Sequence, residues 1–183
     1  MQEVPEIKTE QQYNEVIEKC REIFTKKTKD YGTAWRVLRT ISIVDQIYIK
    51  AQRIRTIQEK GQQRVDDDIK GEWIGIVNYA IIGNIQMHIE KDAPEELDTD
   101  IAVALYNAQF HAAKQLMEQK NHDYGEAWRS MSQQSFVDLI LMKLQRIRQI
   151  ISNDGKTIMS EGIDANYFDI INYAVFALIL SSE

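Results

Sequence analysis

What this sequence lacks narrows it before any motif is read. Cys20 is the sole cysteine, so no internal disulfide forms, and a reducing compartment is the simpler expectation. Basic residues are outnumbered 22 to 28, and a net charge of −6 repels a phosphate backbone, which argues against sequence-independent nucleic-acid binding. The stretch from Met1 to Gln12 is polar and acidic and contains Pro5, without the basic and then apolar pattern of a secretion signal, so a cytoplasmic protein is expected. The longest apolar run, Ile170 to Leu180 interrupted by Asn172, falls short of the roughly 20 residues that span a bilayer and reads as a buried core helix, with no membrane involved. His88, His111 and His122 show no spacing for a shared zinc, and there is no Gly-rich phosphate loop, GxSxG or CxxC.

What is present is a duplication. Tyr13-Asn14 recurs as Tyr106-Asn107, and Asp30-Tyr31-Gly32 as Asp123-Tyr124-Gly125, both at an offset of 93 residues (13 to 106, 30 to 123). At that offset Lys27, Ala34, Trp35 and Arg36 match Lys120, Ala127, Trp128 and Arg129, and a run from Ser42 to Ile57 matches Ser135 to Ile150 at ten positions. Further on the offset becomes 94, pairing Asn78-Tyr79-Ala80 with Asn172-Tyr173-Ala174. The spacing therefore predicts two helical repeats, residues 1–93 and 94–183, packed as one compact bundle.

Each repeat reads as all-α, with about three long helices. Val16, Ile17, Cys20, Ile23 and Phe24 follow the i, i+3, i+4, i+7 spacing of an amphipathic helix over about Gln11 to Lys26, stopped by Asp30-Tyr31-Gly32. A second helix is predicted over about Ser42 to Lys60, with Val44, Ile47, Ala51 and Ile54 on one stripe, and a third over about Ile69 to Glu90. Pro94 and Glu95-Glu96 mark the linker, with Thr99 or Asp100 as the cap of the next helix. Two like units joined by a short linker pack most simply about a pseudo-two-fold, with the second helices and their Asp45/Asp138 and Gln52/Gln145 faces near the shared interface.

Two repeated clusters could bind a ligand. The first is Lys27, Asp30, Tyr31 and Trp35, repeated as Lys120, Asp123, Tyr124 and Trp128. Turn chemistry explains much of it: lysine against the helix C-terminus, aspartate capping the next helix, glycine turning the chain, aromatics plugging the core. The same ingredients also suit a base stacked beside a phosphate or a sugar hydroxyl. The second cluster is Lys50 and Arg53, with Arg55 beyond, repeated as Lys143, Arg146 and Arg148; it reads either as a solvated ion-pair face or as an anion clamp. Acidic residues are less regular. Glu15 and Glu18 share a face with Glu22 and are candidate Mg²⁺ ligands, but Ala108, His111 and Gln115 replace the three in the second repeat. Asp66-Asp67-Asp68 and Glu72 in the first repeat give way to Glu161, Asp164 and Asp169 in the second; these last three are the catalytic candidates, and Asp169 is also a metal candidate, standing where the first repeat has Gly75.

Through Lys120-Asn121-His122-Asp123-Tyr124-Gly125-x-Ala127-Trp128 and Lys143-x-x-Arg146, the chain resembles the nucleotide modification associated domain 1 family, from about Tyr13 to Ile179 and in both repeats. The resemblance implies a role near modified-base metabolism in bacteria or phages. In its acid-rich helical architecture the chain is also similar to the MazG-like nucleoside triphosphate pyrophosphohydrolases, which hold Mg²⁺ on ExxE and ExxD helices, and Glu15-x-x-Glu18 fits the first half of that signature. The expected function is a nucleotide-binding protein of base-modification or nucleotide metabolism, with a nucleotide or other anionic small molecule as partner and Mg-dependent hydrolysis as its catalytic form; a homo-oligomer is compatible with it. The rival is a non-catalytic helical interaction module that docks a protein partner.

Overall fold

A computed structural model describes residues 5–61, 69–157 and 161–182. The first repeat contributes α1 (Pro5–Tyr31), α2 (Thr40–Lys60) and α3 (Ile69–His88), and the second α4 (Thr99–Tyr124), α5 (Gln133–Ser152) and α6 (Ile163–Ser181). No strand occurs among the described residues. The fold is all-α and tandemly duplicated.

The apolar spacing explains which helix faces are covered. Tyr13, Ile17, Cys20 and Phe24 bury one stripe of α1, and their counterparts Tyr106, Phe110, Ala113 and Met117 do the same for α4. On α2 the buried stripe is Ile43, Val44, Ile47, Ala51 and Ile54. By contrast α3 and α6 are apolar around most of their circumference, which suits central helices. They pack on each other, while α1 meets α4 and α2 meets α5, so every helix touches its own counterpart. That is the contact pattern of a pseudo-two-fold, and one contiguous core runs through both repeats. Among the described residues α6 alone is long and apolar enough to cross a membrane, and 67% of its apolar window is buried inside the bundle.

Two polar exchanges follow the same symmetry. The Tyr13 hydroxyl donates to Asn172 Oδ1 at 2.8 Å and the Tyr106 hydroxyl to Asn78 Oδ1 at 2.7 Å, each tyrosine serving the other repeat. The asparagines in turn donate to the carbonyls of Ala113 and Cys20, both at 3.0 Å. All four side chains are buried, so their hydrogen bonds have no water to fall back on. At the α2–α5 rim, Arg148 meets Asp45 at 3.1 Å and Arg55 meets Asp138 at 3.3 Å. Gln52 turns back to the Tyr48 hydroxyl, and Gln145 faces solvent.

The turns differ from their sequence reading in detail. Gly32 and Gly125, at φ +68 and +66, end α1 and α4 as expected, in the left-handed region that glycine enters without a steric penalty. A single 3-10 turn follows each, Ala34–Val37 and Ala127–Ser130, which periodicity could not show in so short a segment. Asp30 and Asp123 cap nothing: both lie exposed in the last turn of the preceding helix, and the N-cap positions of α2 and α5 fall to Arg39 and Ser132. The cap of α4 is Asp98, one residue before the expected pair. Tyr31 and Tyr124 do not plug the core; they are 76% and 79% exposed. The linker is strapped to the first turn, with Thr33 donating to the Glu95 carbonyl at 2.7 Å and Arg36 to the Ala93 carbonyl at 3.1 Å.

Candidate functional site

Each repeat has a cleft at the same place, between the end of its first helix, the 3-10 turn and its third helix. In the first repeat the cleft holds about 580 Å³. Lys27 and Tyr31 reach it one turn apart on α1, Trp35 comes from the 3-10 turn, Lys50 from α2, and Gly75 and Tyr79 one turn apart on α3. The glycine has a steric reason. A Cβ at Gly75 would stand 2.8 Å from Cε and 2.9 Å from Cδ of Lys50, so only a bare backbone lets that lysine lie across α3. Its ammonium sits 5.8 Å from the Tyr79 ring centroid and 3.8 Å from Glu72, whose other oxygen takes Arg53 at 2.7 Å. The charged side chains lining the cleft are the two lysines, and Glu72 reaches Lys50 from outside that lining. Among the described residues Lys27 has no ion-pair partner. Trp35 is half-buried, tilted against Phe24 at 6.3 Å, and its indole N–H is buried without an acceptor.

The second repeat builds the same cleft and fills it. Its volume is about 290 Å³, half that of the first. Asp169 stands in place of Gly75, with its side chain only 6% exposed, and binds Lys120 at 2.8 Å and Lys143 at 3.0 Å. Burial pulls the Lys120 ammonium down, but the hydrogen bond and charge of Asp169, with Tyr173 and Glu161 behind it, outweigh that and leave its pKa above the ordinary lysine value. Burial and then Asp169 push the Tyr173 hydroxyl up, against a smaller pull from the two lysines. Phe176 replaces Ile82 and lies parallel to Trp128, with ring centroids 4.2 Å apart and planes 6° from parallel. Trp128 is accordingly buried where Trp35 is not.

The structure thus brings together Lys27, Tyr31, Trp35 and Lys50 in one cleft, and Lys120, Tyr124 and Trp128 in the other, with Lys143 reaching the second through Asp169. Arg53 faces Glu72, outside the cleft lining. Arg146 has no ion pair among the described residues, because Asn166 stands where Glu72 is in the first repeat and donates to the Gly162 carbonyl. Asp30 and Asp123 point to solvent, the latter beside His122 at 3.3 Å. Glu15 and Glu18 lie on the exposed face of α1, Glu161 is exposed just before α6, and Asp164 stands 3.9 Å from His88. Asp66 to Asp68 lie outside the described residues. Among those described, no three His, Cys, Asp or Glu side chains gather as metal ligands would. Sequence reasoning missed Tyr79, Ile82 and Phe176; the signal for the last two was the offset-94 register, which pairs a phenylalanine with an isoleucine beside the repeated tryptophan.

The model of the nucleotide modification associated domain 1 family matches residues 27–87 and again residues 120–180. The chain belongs to this family, twice over. Each matched stretch begins at its cleft lysine, Lys27 or Lys120, and runs into its third helix, so the first contains the six cleft residues named above and the second their counterparts. Most of α1 and α4 precedes the matched stretches, so the tyrosines that cross between repeats lie outside them. No curated protein and no solved structure matches the chain.

Proposed function

We propose that the first cleft binds a nucleotide, and that the chain acts as a nucleotide-binding protein in base-modification or nucleotide metabolism. The observation that carries this reading is the pairing, in one open cleft of about 580 Å³, of an aromatic wall with two lysines, Lys27 without an ion-pair partner among the described residues and Lys50 held by Glu72 only from outside the lining. The volume falls within the roughly 300–1,000 Å³ of small-molecule sites. Rings of Trp35, Tyr31 and Tyr79 offer flat apolar surface to a base, and lysine ammonium groups are mobile point charges suited to phosphate oxygens. A groove that docks a protein helix would be expected to present a longer apolar strip, without two cations in its lining.

The described residues do not fit a magnesium ion. Both oxygens of Asp169 are engaged by ammonium groups, and Glu161, Asp164, Glu15 and Glu18 do not converge with it. Binding is therefore the proposed activity, and no hydrolytic step is assigned.

Thermal melts with nucleoside and deoxynucleoside mono- and triphosphates test the reading. A ligand at 100 times its Kd adds about 2.7 kcal/mol, which at this chain length raises Tm by roughly 5–10 °C. Replacing Lys27 and Lys50 together by Ala should remove that shift and leave the ligand-free Tm within a few degrees, since neither fills the core. Unchanged melting with every nucleotide would sink the proposal and favour the interaction module.

A further inference from the structure

We infer that the second cleft carries a built-in stand-in for the ligand of the first: Asp169 takes the place of the ligand's anionic group, and Phe176 that of its flat ring. The inference rests on the nucleotide reading for the name of the ligand, but its geometry is independent of that reading.

Several lining residues differ between the clefts, Phe24 against Met117 and Leu38 against Met131 among them, and two of the differences give the lysines a carboxylate and the tryptophan a parallel ring in place of the tilted Phe24 at 6.3 Å. Where the first repeat has Gly75, Asp169 lies between Lys120 and Lys143 at 2.8 and 3.0 Å. Where it has Ile82, Phe176 lies parallel to the repeated tryptophan at 4.2 Å. A cleft that had simply been lost could be filled by any bulky apolar residue. Here the filling gives the two lysines a carboxylate and the indole a parallel ring, both from one helix.

The carboxylate bookkeeping of the third helices points the same way. The first repeat keeps its acid one turn earlier, at Glu72, where it holds Arg53 and the outer side of Lys50 without lining the cleft. The second repeat has Asn166 there and moves the acid into the cleft as Asp169. Glu72 thus pairs Lys50 and Arg53 from outside the cleft, whereas Asp169 pairs Lys120 and Lys143 from within it, and only in the first repeat does the cleft side of the lysines stay available to an anion from outside.

The stand-in also defines the ligand. Asp169 and Phe176 are seven residues apart on α6, about 10 Å along the axis at 1.5 Å per residue, comparable with the reach from a nucleobase across its sugar to a 5′-phosphate. One carboxylate satisfies both lysines, and two ammonium groups match the charge of a single phosphate better than a triphosphate chain. The geometry points to a nucleoside monophosphate, bound once per chain, with its phosphate over Gly75 between Lys27 and Lys50 and its base on Trp35.

Titration calorimetry with 5′-mononucleotides, and with phenyl phosphate as a ring-plus-phosphate probe without sugar or base, tests this. Wild type should bind one equivalent. Gly75→Asp installs the plug in the first cleft; the atoms in its way are the flexible end of Lys50, so the fold should persist by circular dichroism while affinity falls at least about a hundredfold. Asp169→Gly with Phe176→Ile should open the second cleft and raise the stoichiometry to two; if that variant does not fold, Gly75→Asp decides alone. Folded Gly75→Asp protein binding a mononucleotide as wild type does would overturn the stand-in and keep the nucleotide reading. Phenyl phosphate bound by wild type and lost in Gly75→Asp, with no nucleotide bound, would do the reverse. Wild type binding neither probe would overturn both.

Discussion

Replacing Asp169 with Asn keeps the shape of the plug and removes its charge. Breaking one side of a buried ion pair typically costs about 3–5 kcal/mol, because the charge left behind loses both partner and water. Here the carboxylate side chain is 6% exposed, but Lys120 and Lys143 are 47% and 21% exposed, so water recovers part of the loss. Discounting for that leaves about 1.5–3 kcal/mol. For a chain of this length each kcal/mol lowers Tm by about 2–4 °C, so the variant should melt roughly 3–12 °C below wild type. Calorimetric melts in low and high salt are the assay, and the gap should persist in high salt because ions screen buried pairs weakly. The alkaline limit is set by Lys120, whose pKa is raised in the folded state. Its contribution is complete below the ordinary lysine value of 10.5 and is lost as pH climbs through the raised one, so on the alkaline side the gap should close above 10.5. A Tm within a degree of wild type would refute the reasoning. Unchanged Tm with loss of a nucleotide-hydrolysing activity would instead make Asp169 a catalytic group.

Tyr106→Phe should leave Asn78 Oδ1 buried without its donor and cost about 1–3 kcal/mol in urea unfolding, and Tyr13→Phe should cost a similar amount through Asn172; a loss in one variant only would contradict the reciprocal arrangement. Burial pushes the Cys20 thiol up to about 12, so alkylating reagents at pH 8 should leave native protein unmodified and react once urea unfolds it; fast labelling of native protein would show that α1 opens. Arg148→Ala at the half-exposed rim pair with Asp45 should change stability by no more than about 0.5–1 kcal/mol, and a larger change would mean that the rim pairs anchor α2 to α5.

The fold was largely legible because it is written twice. Apolar spacing on α1 and α2 recurs on α4 and α5, and the buried faces follow it closely. The turn chemistry was less legible. Lys27-x-x-Asp30-Tyr31-Gly32 shows a helix stop, but whether Asp30 caps and Tyr31 plugs depends on a four-residue 3-10 turn too short for any periodicity to show. Of the cleft, the cations and the tryptophan could be read from their repetition. Tyr79 could not be separated from ordinary core aromatics, since its role comes from the turn of α3 that it shares with Gly75. Arg53 looked like half of a clamp with Lys50 because both lie on one side of α2, and only the packing of α3 brings Glu72 in to take it. Residues that differ between the repeats, Gly75 against Asp169 and Ile82 against Phe176, turned out to say more about the clefts than those that agree.

The crossing hydrogen bonds bear on where this protein could be divided. Asn78 lines the first cleft, and the proton it accepts comes from Tyr106, in the other repeat. A cut near Pro94 would leave the first half with its lysines and Trp35 but without the donor that orients that asparagine, and with the face of α3 that α6 covers laid open to water. The stretch of chain that repeats is thus only half of the shared core, and the filled copy backs the open cleft from behind, through Tyr106 and α6.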